Sequence, residues 1–280
     1  MMTSIQLTPA KAQPPRDMYE KLRPKPKAVI RNRSLLLGIV GVIAVLATWQ
    51  ILASFRVIDP AFSSSPVGTA QALFGMVGQG EVWAAVGGTL ASFGTGLGIS
   101  VVFGIPIGLI LGRTPVLREL VDPWINILYS VPYVVFLPII IFWFGIDMTS
   151  RVVLVVWSAA LPLLISVIGA ARNLDRNYLN VATVFTSSPL YTLRTVVFPA
   201  TLPYVLSGIR LAVGRGLVGA IVAELFLGSV GLGNLVQVQT SNFQMDAAMG
   251  TITIIAIIAI AINKAIVSVE RRFAYWADST

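Results

Sequence analysis

Apolar runs separated by short polar or basic stretches organise this chain, at 35–54, 88–112, 124–144, 152–171, 205–227 and 247–268. Each approaches the roughly 20 residues that a helix needs to cross a bilayer, so the pattern predicts six transmembrane helices. The third run holds Pro132 and Pro138, which remove helical hydrogen bonds and predict a kinked or broken span. Broken helices often line transport pathways, which makes both prolines pathway candidates beside the simpler reading of a kink that touches no substrate. In the second run Gly94/Gly98, Gly104/Gly108 and Gly108/Gly112 recur at four-residue spacing, a pattern that lets a neighbouring helix approach closely. Before it, Ser63-Ser64-Ser65-Pro66 reads as a capped start for a short helix with Val67, Ala70, Leu73, Phe74 and Val77 on its apolar side, lying along the outer interface. Gly228, Gly231 and Gly233 have no preceding strand and no following Lys-Ser/Thr, so they predict a turn or re-entrant segment between spans five and six rather than a nucleotide loop.

Composition agrees and narrows the chemistry. Hydrophobic residues make up 56% of the chain and charged residues 11%, with mean hydropathy +0.82, which is the profile of an integral membrane protein. Cysteine and histidine are both absent, which removes disulfides, Cys/His metal sites and Cys- or His-based nucleophiles. No catalytic set and no metal site are expected. The net charge of +8 sits beside apolar spans, where orientation and contact with anionic lipid explain it better than nucleic acid does. Residues 1–33 carry eight Lys/Arg and five prolines and read as a disordered basic tail, followed by a transmembrane domain at 34–276 and a short end at 277–280. Sixteen of the twenty Lys/Arg fall in the tail, the loops after spans two and four, and the end from Lys264; the opposite side holds Arg56 and Arg151. By the positive-inside rule the sixteen face the cytoplasm, with both termini.

One polar-to-amphipathic stretch, 180–203, lies on that same side. Ser188 followed by Pro189 is a helix-start signal, so a first short helix is expected to end near Thr186 and a second to begin at Pro189. Val184 and Phe185, then Leu190, Leu193 and Val197, form apolar faces too short to span and in need of a protein cover. The stretch resembles the cytoplasmic coupling motif of permease subunits in binding-protein-dependent ABC importers, written Glu-Ala-Ala, three residues, Gly, nine residues, Ile-x-Leu-Pro. Here Asn180, Val181 and Ala182 stand at the opening triplet, Thr186 at the glycine, and Val196-Val197-Phe198-Pro199 at the close. Ser65-Pro66, Gly104-Ile105-Pro106-Ile107-Gly108, Asp122-Pro123, Val131-Pro132, Leu137-Pro138, Phe142-Trp143-Phe144-Gly145 and Ala223-Glu224 extend the likeness to the nitrate/sulfonate/taurine branch over about residues 63–276.

The resemblance implies an all-α, six-span permease bundle of the type I importer kind in a bacterial inner membrane, with a cytoplasmic coupling helix. It further implies a second permease copy, a cytoplasmic ATPase dimer that binds ATP and Mg, an extracytoplasmic substrate-binding protein, and a small polar solute of anionic type. Asn180, Val181, Ala182, Phe185, Thr186, Leu193 and Pro199 would then meet the ATPase, with Phe185 and Leu193 as apolar anchors. The chain itself has no Gly-x-x-x-x-Gly-Lys-Ser/Thr phosphate loop, so ATP hydrolysis belongs to a partner.

Ionisable groups inside spans are costly and face cavities or partners, which makes Arg210, Arg215 and Glu224 in span five candidates too. On a helix Arg210 and Glu224 fall about 40° apart but about 21 Å along the axis, and Arg215 points about 180° from Glu224. A structural alternative has Arg210 reaching to headgroups and the other two pairing within the bundle. The rival function is a self-contained ion-coupled transporter or channel, which the scarcity of intramembrane acids disfavours; a membrane-embedded enzyme comes third.

Overall fold

The computed structural model describes residues 29–57, 59, 61–184, 188–228 and 230–274. The chain divides into two units, 1–49 and 50–280. The first runs into helix α1, Val29–Ser54, so residues 29–33 of the expected tail are already helical, and the rest of that tail lies outside the described residues. Beyond α1 come α2 (Pro66–Val77), α3 (Gly80–Arg113), α4 (Pro115–Ser130), α5 (Leu137–Phe144), α6 (Met148–Arg172) and α7 (Arg176–Val184). The chain continues through α8 (Pro189–Leu227), α9 (Leu232–Ser241) and α10 (Met245–Ala274). Five helices are long and apolar enough to cross a membrane, and the bent pair Pro115–Ser130 with Tyr133–Phe144 makes six among the described residues.

The helix α6 is the hub of the second unit. Leu154, Val155, Ala159, Leu163, Val167 and Ala171 on it are all fully buried. Its contact with α3 is set by glycines: a Cβ at Gly104 would sit 3.2 Å from Leu163 Cδ2, at Gly108 2.8 Å from Val167 Cβ, and at Gly112 2.6 Å from Ala171 Cβ. Lipid tails are as apolar as leucine, so such close backbone approach, rather than water exclusion, supplies much of the helix-helix attraction. Gly94 and Gly98 face open space instead, and Gly96, against Val155, completes the row. The pairing 104/163, 108/167, 112/171 runs α3 and α6 in the same direction, whereas Gly208 against Ser166 and Gly216 against Ala159 run α8 antiparallel to α6. Arg113, Arg172, Arg194, Arg271 and Arg272 consequently gather at one end of the bundle.

Two expectations need correction. The basic loop expected before Asp122-Pro123 is absent: only Thr114 separates α3 from α4, because Pro115 sits at the first turn of a new helix, and Arg118 and Asp122 pair along it at 3.9 Å. The coupling stretch does not end before span five. Its second helix runs on through a π-helical turn at Leu193–Val197 into the span, giving one 39-residue helix from Pro189 to Leu227. The short helix α2 starts where expected, with the Ser65 hydroxyl accepting from the Gly68 amide at 3.0 Å; it packs by Thr69 and Met76 and turns Val67, Phe74 and Val77 outward. Asp246 of α10 holds it there, accepting from the Ser65 amide at 3.2 Å.

The third span is broken outright. Proline disfavours α geometry in the residue before it, and Val131 is extended (φ −82°, ψ 128°). A short 3₁₀ turn, Tyr133–Phe136, follows, and the axis bends by 90°. Pro138 has a different task, opening α5 in its first turn, where a missing N–H costs no helical bond.

Candidate functional site: an inner vestibule, a pocket at the broken span and a buried carboxylate

At the basic end a cavity of about 2440 Å³ lies between α6, α7, α8 and α10, bordered by Asn173, Tyr178, Ala182, Pro199, Arg210 and Arg215 among others. Residues of the stretch 180–203 supply part of its lining. Asp175 starts α7 by accepting the Asn177 amide at 2.9 Å, and Ser188 starts α8 in extended geometry, accepting the Tyr191 amide at 3.3 Å. Asn180 is exposed, Ala182 is buried and Pro199 borders the cavity. Phe185 and Thr186 lie outside the described residues, as does the side chain of Val181. Leu193 packs against the bundle's own core around Val197 and Leu109, so the outward apolar surface belongs to Val184, Leu190 and Tyr191. A π turn and a proline meet here: Pro199 cannot donate, and the Thr201 hydroxyl bonds back to the Val197 carbonyl at 2.9 Å.

The three charges of span five have separate fates. Arg210 does not reach for headgroups; its Nη1 meets Glu270 Oε2 of α10 at 3.1 Å, and the Ser207 hydroxyl donates to the other oxygen at 2.9 Å. Arg215 is exposed to the cavity and makes no hydrogen bond or ion pair among the described residues. It also borders a second pocket of about 330 Å³ formed by the break at Ser130–Tyr133 together with Trp157 and Pro162 of α6. Pro132 is thus at a cavity wall, while Pro138 borders neither cavity.

Glu224 points the opposite way, as the helical angle requires, and is fully buried. Its Oε2 accepts from the Thr89 hydroxyl of α3 at 2.8 Å and from the Gly233 amide at 3.0 Å, and Thr89 in turn accepts the Leu232 amide at 2.9 Å. Arg151 of α6, only 8% exposed, donates to the Val230 carbonyl at 2.8 Å. Three helices therefore grip one turn. That turn needs its glycines: Gly228 is left-handed at φ +61°, and a Cβ on Gly233 would lie 2.8 Å from Glu224 Cβ. Glu224 thus fastens the fold through Oε2, and it borders neither cavity.

Comparison with known proteins supplies the identity of this arrangement. Residues 104–274 match the family described as "Binding-protein-dependent transport system inner membrane component". The chain belongs to that family. It is 30% identical to the taurine transport system permease protein TauC of Escherichia coli (strain K12), over 85% of this chain and 88% of that one. The putative aliphatic sulfonates transport permease protein SsuC of Bacillus subtilis (strain 168) is 25% identical over 95% of both chains. The bicarbonate transport system permease protein CmpB of Synechococcus elongatus is 27% identical over 80% of this chain and 84% of that one. Among solved structures, a chain of the MetNI methionine ABC transporter in an inward-facing conformation superposes with TM-score 0.62 at 19% identity, covering 69% of this chain and 96% of that one, which shows a shared fold.

The protein is therefore a transport permease and not a catalytic enzyme, and the self-contained ion-coupled carrier is set aside. Sequence reasoning did not single out three residues placed at these sites: Arg151, counted only as a charge opposite the basic end, Trp157, and Glu270. Asp147 caps α6 by accepting the Thr149 amide at 2.7 Å, which places Arg151 inside the helix; that Asp-x-Thr spacing was the available signal. Nothing local marks Glu270 as the partner of Arg210, sixty residues away.

Proposed function

We propose that two copies of this permease form the translocation pathway of an ATP-driven importer of a small anion, of the sulfonate, taurine or bicarbonate kind. The observation that carries the anion is Arg215, a guanidinium bordering the wide cavity with no carboxylate partner among the described residues. An uncompensated cation lining a cavity attracts anions and repels cations. The names of the relatives support the same class. In this reading an extracytoplasmic binding protein does most of the selecting, and the basic end faces the cytoplasm, where an ATPase dimer that holds ATP and Mg docks on 176–199. Val184, Leu190 and Tyr191, all more than half exposed, are the apolar contacts offered to a groove on that partner. Its conformational work then reaches the pathway through α8.

The test is uptake by proteoliposomes carrying the permease, its ATPase and its binding protein. Labelled taurine import that methanesulfonate or bicarbonate competes, and choline or glucose does not, is expected. Import of choline or glucose alone would refute the anion assignment. For orientation, a cysteine placed at Gly80 should react with an impermeant reagent from outside and one at Ser188 should not; the reverse pattern would overturn it.

A further inference from the structure

The pocket at the broken span has features that a packing defect lacks. It lies beside the break, reached from α6 about nine residues inside the Met148 end and from α8 by Arg215, with Tyr129, Ser130, Pro132 and Arg215 exposed along its wall. Its volume of about 330 Å³ is at the lower limit of small-molecule sites, room for one small solute, whereas the wide cavity is several times larger. Arg215 borders both, so the pocket opens from the vestibule's inner end. Among the described residues that border it there is no acidic side chain. Two groups in its wall are donor-only and unused. The Trp157 indole nitrogen is buried and has no hydrogen-bond partner, and an orphan buried donor is rare and costly. Its ring is set by Phe136 of the 3₁₀ turn, with ring centroids 4.7 Å apart. The Arg215 guanidinium is the second; five residues earlier on the same helix, Arg210 has a carboxylate partner, and Arg215 has none among the described residues.

We propose that this pocket is a binding station for one small oxyanion, a sulfonate or carboxylate group, held by Arg215 through a charge-assisted bidentate contact and by the Trp157 N–H. The proposal rests on the anion reading above and adds where the anion pauses. The 90° break creates the station, because a continuous span would fill this space with helix.

The test is saturation-transfer NMR on the permease–ATPase complex in phosphatidylcholine nanodiscs with millimolar taurine as the probe, run beside the uptake assay. Wild type should transfer saturably to taurine, with displacement by methanesulfonate and not by choline. Arg215→Gln should weaken binding on the order of tenfold and Trp157→Phe, which keeps the ring, about threefold. Arg215→Lys should retain more binding than Arg215→Gln, and Arg118→Gln, which removes a charge elsewhere, should bind as wild type. Taurine uptake together with equal transfer in wild type, Arg215→Gln and Trp157→Phe would overturn the station and leave the importer standing. Equal loss in the Lys and Gln variants would assign the effect to packing and also overturn it. Uptake and transfer of choline in place of taurine would overturn both readings.

Discussion

Replacing Glu224 separates a fastening from a pathway acid. Both strong bonds to this side chain, from Thr89 and Gly233, end on the same oxygen, Oε2. Glutamine can present its carbonyl oxygen there and accept both, since one sp² oxygen has two acceptor positions. Its amide group then faces the Ser92 hydroxyl, 3.5 Å from Oε1, whose oxygen can accept in turn. Glu224→Gln is therefore expected to cost about 1 kcal/mol or less and to leave import intact. Glu224→Ala strands the Gly233 amide in a buried site, frees the Thr89 hydroxyl to turn elsewhere, and leaves a void where a fully buried side chain stood. A stranded buried donor costs about 1–3 kcal/mol and the lost packing adds to it, so about 3 kcal/mol is expected. Thermal unfolding in nanodiscs, read beside uptake, measures the pair: a near-native melting temperature for the Gln variant and a fall of several degrees for Ala. Abolished import with unchanged stability in Glu224→Gln would refute the reasoning, because only a group that acts in transport would behave so.

Other substitutions test the remaining contacts. Gly112→Val should push α3 off α6, where even a methyl would meet Ala171 Cβ at 2.6 Å, and cost about 2 kcal/mol or more by thermal unfolding, while Gly98→Ala, in open space, should be neutral. Glu270→Gln should change stability by about 1 kcal/mol or less, since the Arg210 side chain in that pair is 47% exposed and well screened. Leu190→Asp and Phe185→Asp should lower co-purification of the ATPase without impairing membrane insertion, as both lie outside the apolar part of the spans; wild-type ATPase recovery and transport would count against docking there. Ser188→Ala should remove the cap of α8 and weaken the same association, at a cost of about 1 kcal/mol to the helix end.

Span number, the Ser65 and Ser188 caps, the glycine row at 104, 108 and 112, and the opposed directions of Arg215 and Glu224 were all legible in the sequence, because each depends on local geometry with a fixed period. What escaped it depends on distant partners or on the solvent. The apolar side of α2, read from its period, is the exposed one, since in a lipid setting Val67, Phe74 and Val77 gain nothing by turning inward. Pro132 and Pro138 look alike as letters, yet one ends a helix and the other begins one, a distinction set by the extended residue between Ser130 and Pro132. The candidate site was half readable: Arg215 and Pro132 were foreseen and do border a common pocket, whereas Trp157 joins them only through the way α6 crosses the break.

The 39 residues from Pro189 to Leu227 form a rod about 58 Å long. One tip carries the Ser188 cap and the other the Glu224 fastening, and the close seats at Gly208, Gly216 and Gly219 lie between them. Such a rod is a lever with a fulcrum. A tilt of about 10° about its middle would sweep each tip by about 5 Å in opposite senses, given that length. The π turn at 193–197 and Pro203 both interrupt its regular hydrogen bonding, so how stiffly they hold decides how much of a push at the Pro189 tip arrives at the far end rather than being lost in bending.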